Sequence, residues 1–336
     1  MKRRCLMSNI IQFPTNSDHL FNTGIELLAE SRMNEGLDML DKAFEAAVDM
    51  EQRVKIVTIV VEVCMSESLS HRMKDFWENH FDNKEDLLSH KEYHYPYLIS
   101  ISLTAKTSYE KISEYHLLKE YVDDPMFLSQ IDFHIQKERE LMRLISEIQQ
   151  VDTSEAMAHF LDKYYDGSFN MGTQLLRTGD ELAESEIKEL FYIEFFKHEQ
   201  ISPLIKQMGL ASISQSESFI KKHPTIDYYW VDDMKTVHLK QLVPLHEDPI
   251  FLEGFAILSH HFENNDPHLA MEAFELYEQY YSFVYPFAKE IIDGDIDKFV
   301  SLLINPEEME TNPFSSLMEY IELEFITLFP PFNSIY

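Results

Sequence analysis

The sequence predicts an all-α protein assembled from antiparallel helical hairpins, and three observations carry that reading. Glycine supplies only 8 of 336 residues, against a usual share of about 7%. Apolar residues recur at spacings of three and four along most of the chain, which marks one buried face per helix. Strand-like alternation bounded by Asn-Gly or Asp-Gly turns is missing; Ile99–Leu103 comes nearest and sits inside a longer helical pattern. Apolar residues make up 45% of the chain, ample for a sizeable core. The length suits about two units of ~150 residues or one elongated array.

Residues 1–15 read as an N-terminal arm, extended where Pro14 biases Phe13 away from helix. Asn16-Ser17-Asp18 then offers N-caps for a helix to about Ser31, with Leu20, Phe21, Ile25, Leu27 and Leu28 on its apolar face. A polar break at Arg32–Asn34 leads into a second helix, to about Met50, striped by Leu37, Leu40, Phe44 and Ala47. So short a connection makes the pair antiparallel. Further helices are expected near 51–65, 67–80, 84–104, 107–122, 126–150, 153–165, 168–177, 180–197, 200–208 and 213–222. The series continues near 233–241, 249–263, 267–284, 285–292, 295–303 and 313–329. Asp124-Pro125, Asp248-Pro249 and Asp266-Pro267 each read as a helix start. The Asp oxygen caps free amides there, and proline fills a position whose N–H has no helical partner.

Helical periodicity fades at Lys221–Asp232 (KKHPTIDYYWVD), the best candidate for a join between packing units. The expected layout is an arm (1–15), a helical repeat region (16–222), further hairpins (233–303) and an acidic linker with a closing helix (304–336). After Lys298 no basic residue remains, whereas Glu307, Glu308, Glu310, Glu319, Glu322 and Glu324 follow.

Against 59 Asp and Glu stand 28 Lys and Arg, a net charge of −31. Binding nucleic acid needs basic residues to displace counterions from phosphate, so neither DNA nor RNA is an expected partner. An anionic membrane surface is disfavoured for the same reason. Cys5 and Cys64 do not make a disulfide framework, and Cys64 falls in the apolar stretch Val54–Met65, so a reducing cytoplasm is expected. Met1–Leu6 is basic, but no apolar segment follows, so it does not read as a secretory signal. Met7 opens a second candidate start. Val54–Met65 is itself too short and too polar to span a bilayer.

In the first two helices Leu20, Gly24, Leu27, Gly36, Leu40 and Ala43 stand at the spacings of large and small residues in a tetratricopeptide repeat, which this segment resembles. Leu20 replaces the family's Trp, Leu27 its Tyr, and Val48 its closing Pro. Ala270–Phe274 with Leu269 and Tyr277 resembles a second helix of such a repeat more weakly. The resemblance implies helical hairpins stacked into a right-handed superhelix, an α-solenoid, whose first helices line a concave groove. It implies that Gly24 and Gly36 mark a close helix crossing, and that Asp18, Phe21, Ile25 and Leu28 face the groove. Family members that clamp a terminal carboxylate carry Lys and Asn at such places. Here the residues are apolar or acidic, so the implied ligand is a basic or hydrophobic peptide or partner helix. The chain's own terminus or a second copy would also suit it, and an equal alternative is that these four residues pack under the arm at Asn9–Phe13.

Patterns that carry chemistry are few. His90 and His94, with Glu92 between, share a helix face, but Lys91 stands where an H-E-x-x-H metalloprotease has its Glu. His198-Glu199 lacks a second His in register, and His260-His261 cannot chelate from one face. Asp293–Asp297 imitates a calcium loop without the downstream Glu. These read as surface or capping residues, with no metal or cofactor expected. Neither Cys has a nucleophile's context and no G-x-S-x-G elbow occurs, so no catalytic residues are assigned. Tyr93, Tyr95 and Tyr97 around Pro96, and Tyr228–Trp230, read as packing aromatics, the latter also as a candidate partner-binding patch.

The leading expectation is a non-enzymatic scaffold or adaptor that binds another protein or peptide in a concave helical face. A second is a peptide-sensing regulator that changes curvature on binding a ligand. A third is an enzyme on an unrecognised all-α fold.

Overall fold

The computed structural model describes residues 16–262, 267–292, 294–304 and 312–329. The arm at 1–15, Cys5, Asp266, Asp293 and the linker at 305–311 lie outside the described residues. Helices dominate, and neighbours in sequence pack pairwise. The chain divides into two compact units, 1–142 and 143–336, with the division inside one helix.

Unit 1 opens with α1 (Asn16–Ala29) and α2 (Met33–Ala46). Between them the chain reverses at Ser31, in the left-handed region at φ 60°. α3 (Met50–Ser66) is capped by Asp49, which accepts from the Gln52 amide at 2.8 Å. α4 (Ser70–His80) and the short α5 (Lys84–Ser89) follow, then a 3-10 turn at Lys91–Tyr93 and α6 (His94–Thr104). The sequence pattern suggested one helix over 84–104. Pro96 accounts for the break, because it has no amide to donate and is tolerated only in a first helical turn, where α6 places it. α7 (Ser108–Lys119) starts on a capping box in which Thr107 and Glu110 each accept from the other's amide. α8 (Pro125–Ile148) starts on Asp124, whose carboxylate accepts from Met126 at 2.8 Å. Leu40, Ile56, Val57, Met73, Phe76, Tyr93, Ile101, Leu118 and Ile131 form the core. Cys64 is buried among them, and burial pushes its thiol up to about 11, so it stays protonated and inert at neutral pH.

In unit 2, α9 (Ser154–Tyr164), α10 (Phe169–Glu181), α11 (Glu186–Lys197), α12 (Pro203–Ser214) and α13 (Glu217–Lys222) carry caps from Thr153, Ser168, Ser185, Ser202 and Ser216 respectively. Beyond the hairpin described below come α14 (Pro249–Phe262), α15 (Pro267–Val284), α16 (Ala288–Ile292), α17 (Ile296–Ile304) and α18 (Ser315–Leu328). Asp248 starts α14 as Asp124 starts α8, accepting from Ile250 at 2.9 Å.

The all-α expectation needs one correction. Thr225–Trp230 (β1) and Asp233–His238 (β2) form an antiparallel hairpin, in the register Thr225↔His238 to Trp230↔Asp233. The helix expected over 233–241 is therefore a strand followed by a 3-10 turn at Leu239–Gln241. Alternation was present in TIDYYW, where Ile226 and Tyr228 are buried and Asp227 is exposed. Its turn gave no sign, because Val231-Asp232 replaces the glycine or asparagine that two-residue hairpins favour, and Val231 is held at φ 56°. The hairpin lies within unit 2, packed on α11.

Among the described residues no helix is long and apolar enough to cross a membrane.

Candidate partner-binding groove

α1 and α2 touch backbone to backbone. A Cβ on Gly24 would lie 3.1 Å from the Gly36 carbonyl oxygen, and one on Gly36 would lie 3.0 Å from that of Gly24 and 2.7 Å from Leu28 Cγ. Leu40 and Ala43 are fully buried, Leu20 packs against the core, and Leu27 is half-buried. Of the residues assigned to a groove, Asp18 accepts from Gln52 Nε2 of α3 at 2.7 Å, and Phe21 lies under the Lys55 ammonium at 4.6 Å. Leu28 fills the space beside Gly36, so it belongs to the helix pair, whereas Ile25 is half-exposed.

The contacts place the N-terminal ends of α1 and α3 together. At the other end of α3, Ser102 of α6 donates to Met65 Sδ at 3.7 Å. These contacts link α1 to α3 and α3 to α6.

Ser102 also borders a hollow of about 570 Å3 between α6 and the first half of α8. Leu98, Ile99, Tyr115, Phe133 and His134 line it with Tyr95, Ser129 and Gln130, and the lining contains no Asp, Glu, Lys or Arg. Two large side chains stand out into solvent at its edge, Tyr95 at 58% exposure and Phe133 at 56%. His134 stacks on Tyr115 with ring centres 5.4 Å apart. Burial, helped by the Lys137 charge, pushes its pKa below the ordinary value, so the imidazole is neutral at pH 7.

A second hollow, about 740 Å3, shares Tyr95 in its lining. Its lining includes Lys91, Glu92, His94, Tyr121, Asp123, Asp124 and Phe127. His94, expected at a surface or cap, is instead buried: it bonds the Leu88 carbonyl at 2.8 Å and stacks on Phe127, tying α6 to the start of α8.

Tyr95 corrects an expectation: read as a packing aromatic with Tyr93 and Tyr97, it is exposed. Tyr93 and Tyr97, four apart, turn into the core, and Tyr95 between them points the other way. Phe133 left no signal in the sequence.

The cleft of about 620 Å3 among α4–α7 is lined by Trp77 and Tyr97, but their polar atoms are spent internally, on Ser100 and Glu114, and Glu114 also holds Lys84. In unit 2 a hollow of about 420 Å3 lies between α15 and α18 and ends at Phe329, the last described residue. Lys206 on α12 is fully buried, with 0% exposure, and its amine donates to the Tyr229 carbonyl at 2.7 Å with the Tyr228 and Tyr229 rings 5.4 Å away. Burial lowers its pKa to about 7 against the pull of Glu199 and Glu324. A lysine poised in this range is suited to chemistry, but this one is fully buried. Tyr228 is buried, bonding the Pro203 carbonyl, and Trp230 bonds that of Phe283, so these aromatics fasten the hairpin.

Among the described residues no group of three or more His, Cys, Asp or Glu is placed to hold a metal ion. His198 pairs with Asp162 at 3.1 Å, as a cap at the end of α11. No protein-family model, curated protein or solved structure matches the chain.

Proposed function

We propose that the protein is a non-enzymatic adaptor of the helical-repeat type, which binds a peptide or helix of another protein along the side of unit 1 formed by α1, α3, α6 and α8. One observation carries the reading: Tyr95 and Phe133 stand exposed at the edge of an uncharged hollow large enough for a side chain. Exposed aromatics over a preformed apolar hollow are the usual anchors of protein recognition, because they bury much area at little entropic cost. The tight Gly24–Gly36 crossing supports a repeat-like first hairpin. On this reading the hairpins of unit 1 stack as in a tetratricopeptide array and the α6–α8 groove belongs to its concave side.

The test is affinity capture from a native lysate with the wild-type chain and with the Y95A/F133A variant. Both substitutions remove side chains that are more than half exposed, so the variant is expected to fold, which circular dichroism checks. The reading expects one stoichiometric partner that the variant loses. A partner held equally by both would refute it.

A further inference from the structure

We propose that the occupant of the groove is a short segment pairing one bulky apolar side chain with an Arg or Lys, seated in the two hollows that share Tyr95. This rests on the adaptor reading above and adds the chemistry of the partner.

The hollows differ in kind. The one between α6 and α8 has no charged lining residue, and its histidine is neutral at pH 7. A cation entering it would lose its water and meet the Lys137 ammonium, which stands 5.2 Å over the Phe133 ring, so the lining favours an uncharged, apolar side chain. The second hollow has the opposite character: Glu92, Asp123 and Asp124 line it against a single cation, Lys91. Asp124 is engaged in starting α8, whereas Glu92 and Asp123 are exposed. Tyr95 and Tyr121 line the same hollow as these carboxylates, and aromatic rings in company with acids favour a guanidinium or ammonium group. The net charge of −31 acts in the same direction, attracting a basic segment and repelling an acidic one before contact. Tyr95 borders both hollows, so one short segment can reach both.

The probe is a library of random 12-residue peptides displayed on phage, selected on the full chain and counter-screened on Y95A/F133A. Selected peptides are expected to carry an aromatic or branched aliphatic residue near an Arg or Lys, and to lose binding to Y95A/F133A. With E92Q/D123N their affinity should fall about tenfold and its salt dependence should flatten, while the analogue with the basic residue changed to norleucine is indifferent to that pair. Peptides that depend on Tyr95 and Phe133 but are neutral or acidic would overturn the proposal and leave the adaptor reading standing. Peptides indifferent to Tyr95 and Phe133, or none selected, would overturn both.

Discussion

The Lys206 amine donates 2.7 Å to the Tyr229 carbonyl from a site with no exposure to solvent, tying α12 to strand β1. The folded protein therefore releases this proton near pH 7, whereas an exposed lysine keeps it to about 10.5. Between those values the unfolded chain binds the extra proton, so stability rises with pH across the window, by at most ~1.4 kcal/mol per pH unit. Below about pH 7 both states are protonated and the dependence ends. Urea midpoints at pH 7.5 and 9 should show the rise. In K206M the Lys206 contribution vanishes and the difference shrinks; an unchanged slope would show that Lys206 is charged in the fold.

The crossing of α1 and α2 predicts a costly methyl group. Gly36→Ala places Cβ against Leu28 and the Gly24 carbonyl, which outweighs the ~1 kcal/mol that alanine gains in a helix. A net loss of about 1–3 kcal/mol is expected from overpacking, measured by chemical denaturation. Leu28→Ala in the same chain should recover part of it, because the side chain in the way is then gone.

The hairpin turn predicts the reverse. Val231 sits at φ 56°, where a β-branched residue is strained by about 1–2 kcal/mol. Val231→Gly should raise the urea midpoint by relieving this, less the part that the half-buried valine contributes to packing. A lowered midpoint would mean that packing holds the turn.

At the start of α7, Thr107→Ala removes the oxygen that receives the Glu110 amide. The expected cost is about 1 kcal/mol, with faster hydrogen exchange in the first turn of α7. Exchange rates that do not change there would mean that the Glu110 half of the box suffices.

Most helices could be read from the chain because their faces repeat at three and four residues and their starts use Asp, Ser or Thr, as at Asp49, Thr153 and Ser168. The hairpin could not, since Val231-Asp232 lacks the usual turn residues, and the break before α6 required weighing Pro96 against a continuous apolar run. The close crossing at Gly24 and Gly36 was legible through the segment's resemblance to a tetratricopeptide repeat, which calls for small residues at both places. The groove was not: Tyr95 and Phe133 lie 38 positions apart, and only the packing of α6 on α8 brings them to one hollow. Lys206 was invisible for the same reason, as an ordinary helical lysine until the hairpin covers it.

The central claim is that the partner sits against α6 and α8 of unit 1. Its most direct test places a photo-crosslinking amino acid at position 133 in one chain and, in another, at position 323, where Leu323 is 62% exposed on α18. Adaptor binding in the groove predicts a single crosslinked partner from position 133 and none from position 323. A partner crosslinked from position 323 alone would contradict it.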